Sequence, residues 1–530
     1  MTRSPQAIAA DPAVNAFVMA NAGSGKTTTL VNRVARLLLD GSAPGAILCL
    51  TFTKAAAAEM QRRLYERLGD WAVAGDARLR DQLAELEERA ADSFDAHDLS
   101  RARALFARAL ETPGGLKIQT IHAFCEQLLR RFPVEAEVSP LFRVIDEAEA
   151  ADIRRRARDR VALADDIAGL AGAYLHMAGK LSQPDFEAMF DRFESKRAEL
   201  TAYVAEDGGA ATLQDRVAAS VGLEGWTEPE AAEHAAVTAP DFDAAAWLDA
   251  AAACARGGEK GDQPMGLKLQ AVAEAVLAGE APVDAAREIF FTGTGEPRKR
   301  LGTKAVDPAT LDWLAREQAR LAQHFERARA ARVALDTVSA LVLAYAYGRS
   351  YETAKATTGA LDFADLIQRA RHLLTDGPGA AWVLYKLDGG VDHVLVDEAQ
   401  DTSPEQWSIV RALTAEFFTG AGSRDGTART VFVVGDEKQS IFSFQGAAPE
   451  RLAAEAQDYD RAITGVGGVF QGVELLQSWR STAEVLAAVD AVFAEPALAR
   501  ALSPGRGEAG EDAAALIRHQ AARADGLAGT

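Results

Sequence analysis

Two stretches of the chain hold residue types suited to phosphate chemistry. The first is "ANAGSGKTT", residues 20–28. From Ala20 through Asn21, Ala22, Gly23, Ser24, Gly25, Lys26 and Thr27 it follows the phosphate-loop pattern G-x-x-x-x-G-K-[ST], departing only at the first place. Gly23 and Gly25 admit backbone conformations that turn N–H groups toward a phosphate. Lys26 can neutralise β- and γ-phosphates, and the Thr27 hydroxyl can reach Mg2+. Thr28 continues into a helix whose positive end faces the anion. The first place asks only for a small residue, which Ala20 supplies. The cofactors implied are ATP and Mg2+.

A phosphate loop by itself does not hydrolyse ATP. A carboxylate must hold the metal and a base must orient water. The second stretch, "VLVDEAQD" (394–401), offers both. Its apolar run carries Asp397 and Glu398 to the C-terminal end of a strand, where open α/β sheets bind ligands. Asp397 is the expected metal carboxylate and Glu398 the expected water-orienting base.

These residues need a sheet to hold them. "AFVMA" (16–20), "AILCLTFT" (46–53), "DHVLVDE" (392–398) and "TVFVVGDE" (430–437) are short apolar runs that read as buried strands. "TTTLVNRVARLLLD" and "KAAAAEMQRRLYERL" follow with helical spacing. Strands alternating with helices imply a parallel sheet. Residues 70–112 are charged and helical, and "GGLKIQTIHAFCEQLLRRF" reads as a strand followed by a helix. Residues 145–355 are almost wholly helical, which predicts an inserted helical domain. A further α/β piece begins near 460, and the tail from about 503 is polar and rich in Ala and Gly.

The totals narrow the class. Of the 530 residues 48% are hydrophobic and 25% charged, which is ordinary for a globular chain able to bury a core. Cys49, Cys125 and Cys254 stand far apart, which argues against a disulfide framework or zinc site and suits a reducing, cytoplasmic setting. No run of about 20 apolar residues offers a membrane span. The net charge of −20 does not advertise a nucleic-acid binder, but binding needs only a local basic groove.

In order along the chain, "ANAGSGKT", "TFTKAAAAEM", "TIHAFC", "VLVDEAQD", "VGDEKQSIFSFQGA" and "LLQSWRS" resemble the motifs of superfamily 1 UvrD/Rep-type DNA helicases. More narrowly, "GLKIQTIHAFCEQLLRRFP" and "TGEPRKRLGTK" are similar to AddA-type helicase-nuclease subunits of bacterial double-strand-break repair. The resemblance runs from about residue 5 to 490. It implies a RecA-like P-loop core, an α/β fold with a parallel sheet, and a 3′-to-5′ helicase or translocase motor. It also implies single-stranded and double-stranded DNA ends as substrates and an AddB-like partner subunit, without a membrane. By the same resemblance Gln6 reads adenine, Gln439 senses the γ-phosphate, and Arg480 reaches that phosphate from a second motor lobe.

For the DNA face, Phe52, Phe124, Phe442 and Phe444 each sit inside a motif beside polar or basic residues. Aromatic side chains in a single-strand groove give sequence-tolerant stacking. Any one of them is equally readable as core, and the resemblance favours DNA for Phe52 and Phe442. Thr51, Lys54, Thr120 and His122 are candidate backbone contacts, with a structural histidine the other reading of His122. Arg298, Lys299, Arg300 and Lys304 crowd residues 296–304. That segment reads as a duplex or partner contact, or as a solvated loop. Asp362 and Asp365, in "LDFADLI", read as structural rather than catalytic.

Two departures from the family pattern stand out. Gln445 replaces an Arg found in many relatives. Nothing after residue 490 resembles the ribose-binding glutamate motif, the second arginine motif or the metal-binding nuclease that the family carries further on. The expected organisation is a first RecA-like lobe over 1–145 and 356–458 and an inserted helical domain over 146–355. A truncated second RecA-like lobe over 459–530 completes it, as in an N-terminal fragment of a longer protein. Two functions are compatible with this: an ATP-dependent motor, or an ATP- and single-strand-binding module with little turnover.

Overall fold

The computed structural model describes residues 3–163, 167, 169–206, 210–256, 261–388, 390–418, 428–441, 446–495, 498 and 520–522. Its elements begin with α1 (Pro5–Ala9), β1 (Asn15–Ala20), α2 (Lys26–Leu39), β2 (Ile47–Thr51) and α3 (Lys54–Val73). Next come α4 (Asp76–Glu87), α5 (Ala96–Glu111), β3 (Lys117–Thr120) and α6 (Ile121–Arg131). After a long helical segment come α7 (Phe363–Thr375), α8 (Ala380–Asp388), β4 (His393–Val396), α9 (Pro404–Thr414) and β5 (Thr430–Gly435). The series ends with α10 (Arg451–Gly465), β6 (Phe470–Leu475) and α11 (Ala483–Phe493).

The six strands form one parallel sheet in the order β3-β2-β4-β5-β1-β6. Parallel strands covered on both faces read as continuous apolar runs, because alternate residues enter opposite layers. Val18, Cys49, Leu395 and Phe432 enter one layer with Leu30, Val34, Met60 and Leu64 of α2 and α3. Phe17, Leu48, Val394 and Val433 enter the other with Leu128, Leu366, Trp407 and Ile463 of α6, α7, α9 and α10. Thr53 caps α3 and Thr120 caps α6, each hydroxyl accepting the N–H three residues on. Asp362 and Asp365 form a reciprocal capping box at α7, a structural use.

The sixth strand corrects one expectation. The sequence places the start of a new lobe at residue 459, yet β6 pairs with β1 from Asn15↔Phe470 to Ala20↔Leu475 and completes the same sheet. Burial explains it. Val473 and Leu475 enter the first layer, while Tyr459 of α10 packs its ring 5.4 Å from Phe17.

Glu147–Thr358 forms a second compact unit, all helical apart from one bridge between Phe291 and Pro297 among the described residues. Trp247, Leu269, Phe290, Leu314 and Leu321 form its core. Its last helix, Pro308–Thr358, contains a window long and apolar enough to cross a membrane, half of it buried. Leu314, Leu321 and Phe325 of that helix lie at helical spacing in this core, which accounts for its apolar character.

At the start of β4, His393 is buried and shares hydrogen bonds with Thr430 Oγ1 (2.8 Å) and Ser42 Oγ (3.0 Å). Burial, with the nearby Arg33 guanidinium, pushes its pKa down to about 4. The unfolded chain takes that proton near 6.5, so the unfolded state binds more protons between the two values. Stability is therefore full above pH ~6.5 and is lost as pH falls toward ~4, by on the order of 3 kcal/mol. Urea midpoints measured across this range should fall steeply for the parent chain and more gently for His393→Gln. Parallel curves would show that His393 is not the cause.

The chain that follows β6 returns to the turn after β1. Trp479 N donates to Gly23 O (2.9 Å), and Asn21 N donates to Leu475 O (3.0 Å). Gly23 has φ +75, and a Cβ there would lie 2.6 Å from Arg480 Cβ and 2.8 Å from Ser478 Oγ. Gly25 has φ +87 with nothing within 4 Å of such a Cβ. A left-handed residue other than glycine costs about 1–2 kcal/mol, which both Ala variants incur. Gly23→Ala must in addition displace residues 478–480. It should be the less stable of the two in urea unfolding, and equal losses would disprove the close approach.

Candidate active site

The loop between β1 and α2 forms a cradle. Gly25 takes the left-handed N-cap position of α2 without a side-chain cap, so the first N–H groups of that helix face outward. Ser24 Oγ is buried and has no hydrogen-bond partner among the described residues. Thr29 Oγ1, by contrast, is committed to Gly25 O at 3.1 Å. An uncapped helix start, an orphaned buried hydroxyl and an adjacent lysine form a donor set that fits a polyphosphate. Ala20 ends β1 buried, Asn21 is buried beside it, Thr27 is half-buried, and Ala22 and Thr28 are exposed. Gln6 lies half-buried on α1, which packs against β1, α2 and β6.

Facing this cradle is the end of β4. Asp397 N still pairs with Leu50 O (2.9 Å), so the carboxylate leaves the sheet at a defined height. It is buried, and burial followed by the charge of Glu398 pushes its pKa up to about 7, with Lys26 pulling the other way. A divalent cation would favour its ionised form. Glu398 has φ +52, left-handed for a residue with a side chain, which turns its carboxylate back toward the loop. There Glu398 Oε2 lies 3.3 Å from Lys26 Nζ and accepts from Gln400 Nε2 at 2.7 Å. Lys26, Asp397 and Glu398 thus meet in space, 372 residues apart in the lysine–glutamate case.

Beside them is the end of β5. Gln439 Nε2 donates to Asp436 Oδ2 (2.5 Å), and Lys438 Nζ donates to Asn21 Oδ1 (2.6 Å). It is therefore Lys438, a residue to which the motifs assign no role, whose side chain reaches the phosphate loop. The signal was available in "GDEKQS", because any lysine following the strand next to β1 lands near the loop after β1. Arg480 is exposed, and its backbone lies against Gly23.

The candidate DNA residues separate into two groups. Thr51 and Thr120 are partners across the β2–β3 ladder, so the two motifs end side by side. Both threonines are buried. Thr51 Oγ1 donates to Thr53 O (3.1 Å), and Thr120 Oγ1 accepts from Ala123 N (3.2 Å). Their hydroxyls hold the turns that aim Phe52, Lys54 and His122. Lys54 is exposed, and Phe52 is half-buried. Phe52 lines a small cavity with Thr51 and Asp397, which joins this face to the metal carboxylate. His122 is half-buried against Phe363, with ring centroids 5.3 Å apart, and burial lowers its pKa. Phe124 is buried in the second layer, a core role. Phe442, Phe444 and Gln445 lie outside the described residues. In the helical unit, Arg298, Lys299, Arg300 and Lys304 are exposed on a turn held by Gln318 Nε2, which donates to Phe290 O (2.7 Å) and Arg298 O (3.1 Å).

Comparison with known proteins places this geometry. A protein of Desulforudis audaxviator, named as an ATP-dependent helicase/nuclease subunit of the AddA type, is 30% identical over 549 residues, covering 95% of this chain and 40% of that protein. Proteins of the same name from Listeria monocytogenes serotype 4b and Bacillus licheniformis are each 26% identical, covering 90% of this chain and 38% of theirs. The chain thus spans about two fifths of the length of these curated relatives. Residues 1–460 match the UvrD/REP helicase N-terminal domain, and with its parallel sheet and phosphate loop this chain belongs to that family.

Proposed function

We propose that this chain is the nucleotide-binding motor region of an ATP-dependent 3′-to-5′ DNA helicase or translocase. It acts in the cytoplasm on single- and double-stranded DNA ends in double-strand-break repair and recombination, with an AddB-like partner subunit. The observation that carries this reading is the meeting of Lys26 and Glu398 at 3.3 Å, one strand away from the paired ends of β2 and β3. Hydrolysis and strand contact then share one edge of the sheet.

In this reading Lys26 and the loop N–H groups bind the β- and γ-phosphates, and Gln6 contacts the adenine. Thr27 and Asp397 hold Mg2+, which supplies charge neutralisation at the phosphates. Glu398 orients the attacking water and accepts its proton. Gln439 senses the γ-phosphate from the end of β5. Arg480 stabilises the charge of the transferring group, a contribution that can reach ~10³–10⁵ in rate. Phe52 and Phe442 stack on bases, while Lys54 and His122 approach the strand backbone.

Hydrolysis of ATP by the chain should be stimulated by single-stranded DNA. Glu398→Gln should lower kcat at least ~100-fold while retaining nucleotide, and Lys26→Ala should lose both nucleotide and turnover. A tailed-duplex assay should show displacement from 3′ tails, abolished by either change. ATPase activity indifferent to DNA would exclude the motor reading. Affinity for single strand should fall linearly in logarithm against log salt, with a slope of about −0.7 per phosphate contacted. A flat salt response would mean that no cationic strand groove exists.

A further inference from the structure

We infer that Gln400 is a positioning residue that aims Glu398 and ties it to the end of β5. The inference rests on the proposed ATPase reading of this site.

Gln400 is fully buried, and its carboxamide is bonded at both ends. Nε2 donates to Glu398 Oε2 at 2.7 Å and to Asp401 Oδ2 at 3.3 Å. Oε1 accepts the backbone N–H of Asp436 at 2.8 Å. Asp436 in turn accepts from Gln439 Nε2, and Asp401 Oδ1 accepts from Ser440 Oγ at 3.1 Å. One amide group therefore joins the carboxylate expected to orient water to the turn expected to sense phosphate.

Glu398 needs such a tether. Its left-handed backbone is a strained state for a non-glycine residue, and such states persist only where surrounding contacts over-determine them. Its second partner, Lys26, is the residue that a bound phosphate would claim. Gln400 is the partner that remains when Lys26 turns to phosphate, so it sets the aim of Glu398 during reaction. The approach of β5 is equally tight. A Cβ on Gly435 would lie 2.9 Å from Gln400 Oε1 and 3.2 Å from Gln400 N, so the strand accepts no side chain where it meets this amide.

Three variants test the assignment by steady-state ATPase with single-stranded DNA present. Gln400→Met keeps the length and removes both bonds. Gln400→Glu keeps an acceptor for Asp436 N and removes the donor to Glu398. Gly435→Ala displaces the amide from the other side. Each should lower kcat about 10–100-fold, the range for losing an orienting partner, with KM for ATP within about twofold of the parent. Thermal unfolding is followed alongside. A lowered melting temperature with kcat per folded molecule unchanged would overturn the inference and leave Gln400 a packing residue. So would full turnover in the Gln400 variants alongside its loss in Glu398→Gln, which leaves the ATPase reading standing. A parent chain that hydrolyses no ATP would overturn that reading and the inference with it.

Discussion

Parallel pairing from β3 through to β6 points every strand the same way, so each loop that leaves a C-terminal end emerges at one edge. That constraint makes the site. The loop after β1 carries Lys26, the turn after β4 carries Asp397 and Glu398, and the turn after β5 carries Lys438 and Gln439. The turns after β2 and β3 carry Phe52, Lys54 and His122. An antiparallel neighbour would send its turn to the far edge and break the set. β5 lies between β1 and β4, which separates the phosphate loop from Asp397 by one strand width on either side. At about 4.7–4.9 Å per strand this leaves room for a phosphate and its metal between lysine and carboxylate.

Charge at that edge is scarce and closely matched. Asp397 and Glu398 are adjacent acids with Lys26 between them and the loop, and burial already resists ionisation of Asp397. A divalent cation, with Thr27 across from Asp397, would supply the positive charge that this corner is short of. At the opposite end of the sheet the problem is reversed. Arg33 is fully buried with no carboxylate contact among the described residues, and is held instead by oxygens. It donates to Ala9 O at 3.3 Å, Val14 O at 2.6 Å and Thr430 Oγ1 at 2.9 Å, with Asp11 O as a further acceptor. Burial lowers its pKa to about 9. Those bonds pin the entry of β1 against β5 and α2, so the loop at the other end of β1 starts from a fixed strand.

Legibility in the sequence followed distance along the chain. The phosphate loop was readable because glycine, lysine and threonine act within a single turn. Asp397 and Glu398 were readable because an apolar run must end where its polar residues begin. The capping use of Asp362 and Asp365 was readable for the same local reason. What was not readable depended on pairing between distant segments. Residues 470–475 have one alternation whichever sheet they join, and only their ladder with β1 assigns them to the first. Thr51 and Thr120 have the composition of backbone-contacting residues, and their hydroxyls are consumed by turn geometry that a residue type does not specify. Lys438 and Gln400 sit inside recognised motifs, but their partners, Asn21 and Asp436, are contributed by other strands.

The two glycines of the phosphate loop show why that distinction matters for mechanism. Both have left-handed backbones, and a nucleotide-binding pattern alone would treat them alike. Only Gly23 is required by another part of the chain, because Ser478 and Arg480 occupy the space a side chain would need. Trp479 N closes this approach with a hydrogen bond to Gly23 O. The segment bearing Arg480 is thus joined to the phosphate cradle through backbone before any side chain reaches a ligand. A displacement of that segment must break the Trp479–Gly23 bond or carry the loop with it. Either outcome alters the N–H groups that face phosphate. Coupling between Arg480 and the cradle then follows from the absence of one Cβ, and the glycine that makes room for the nucleotide also makes room for the residues that report on it.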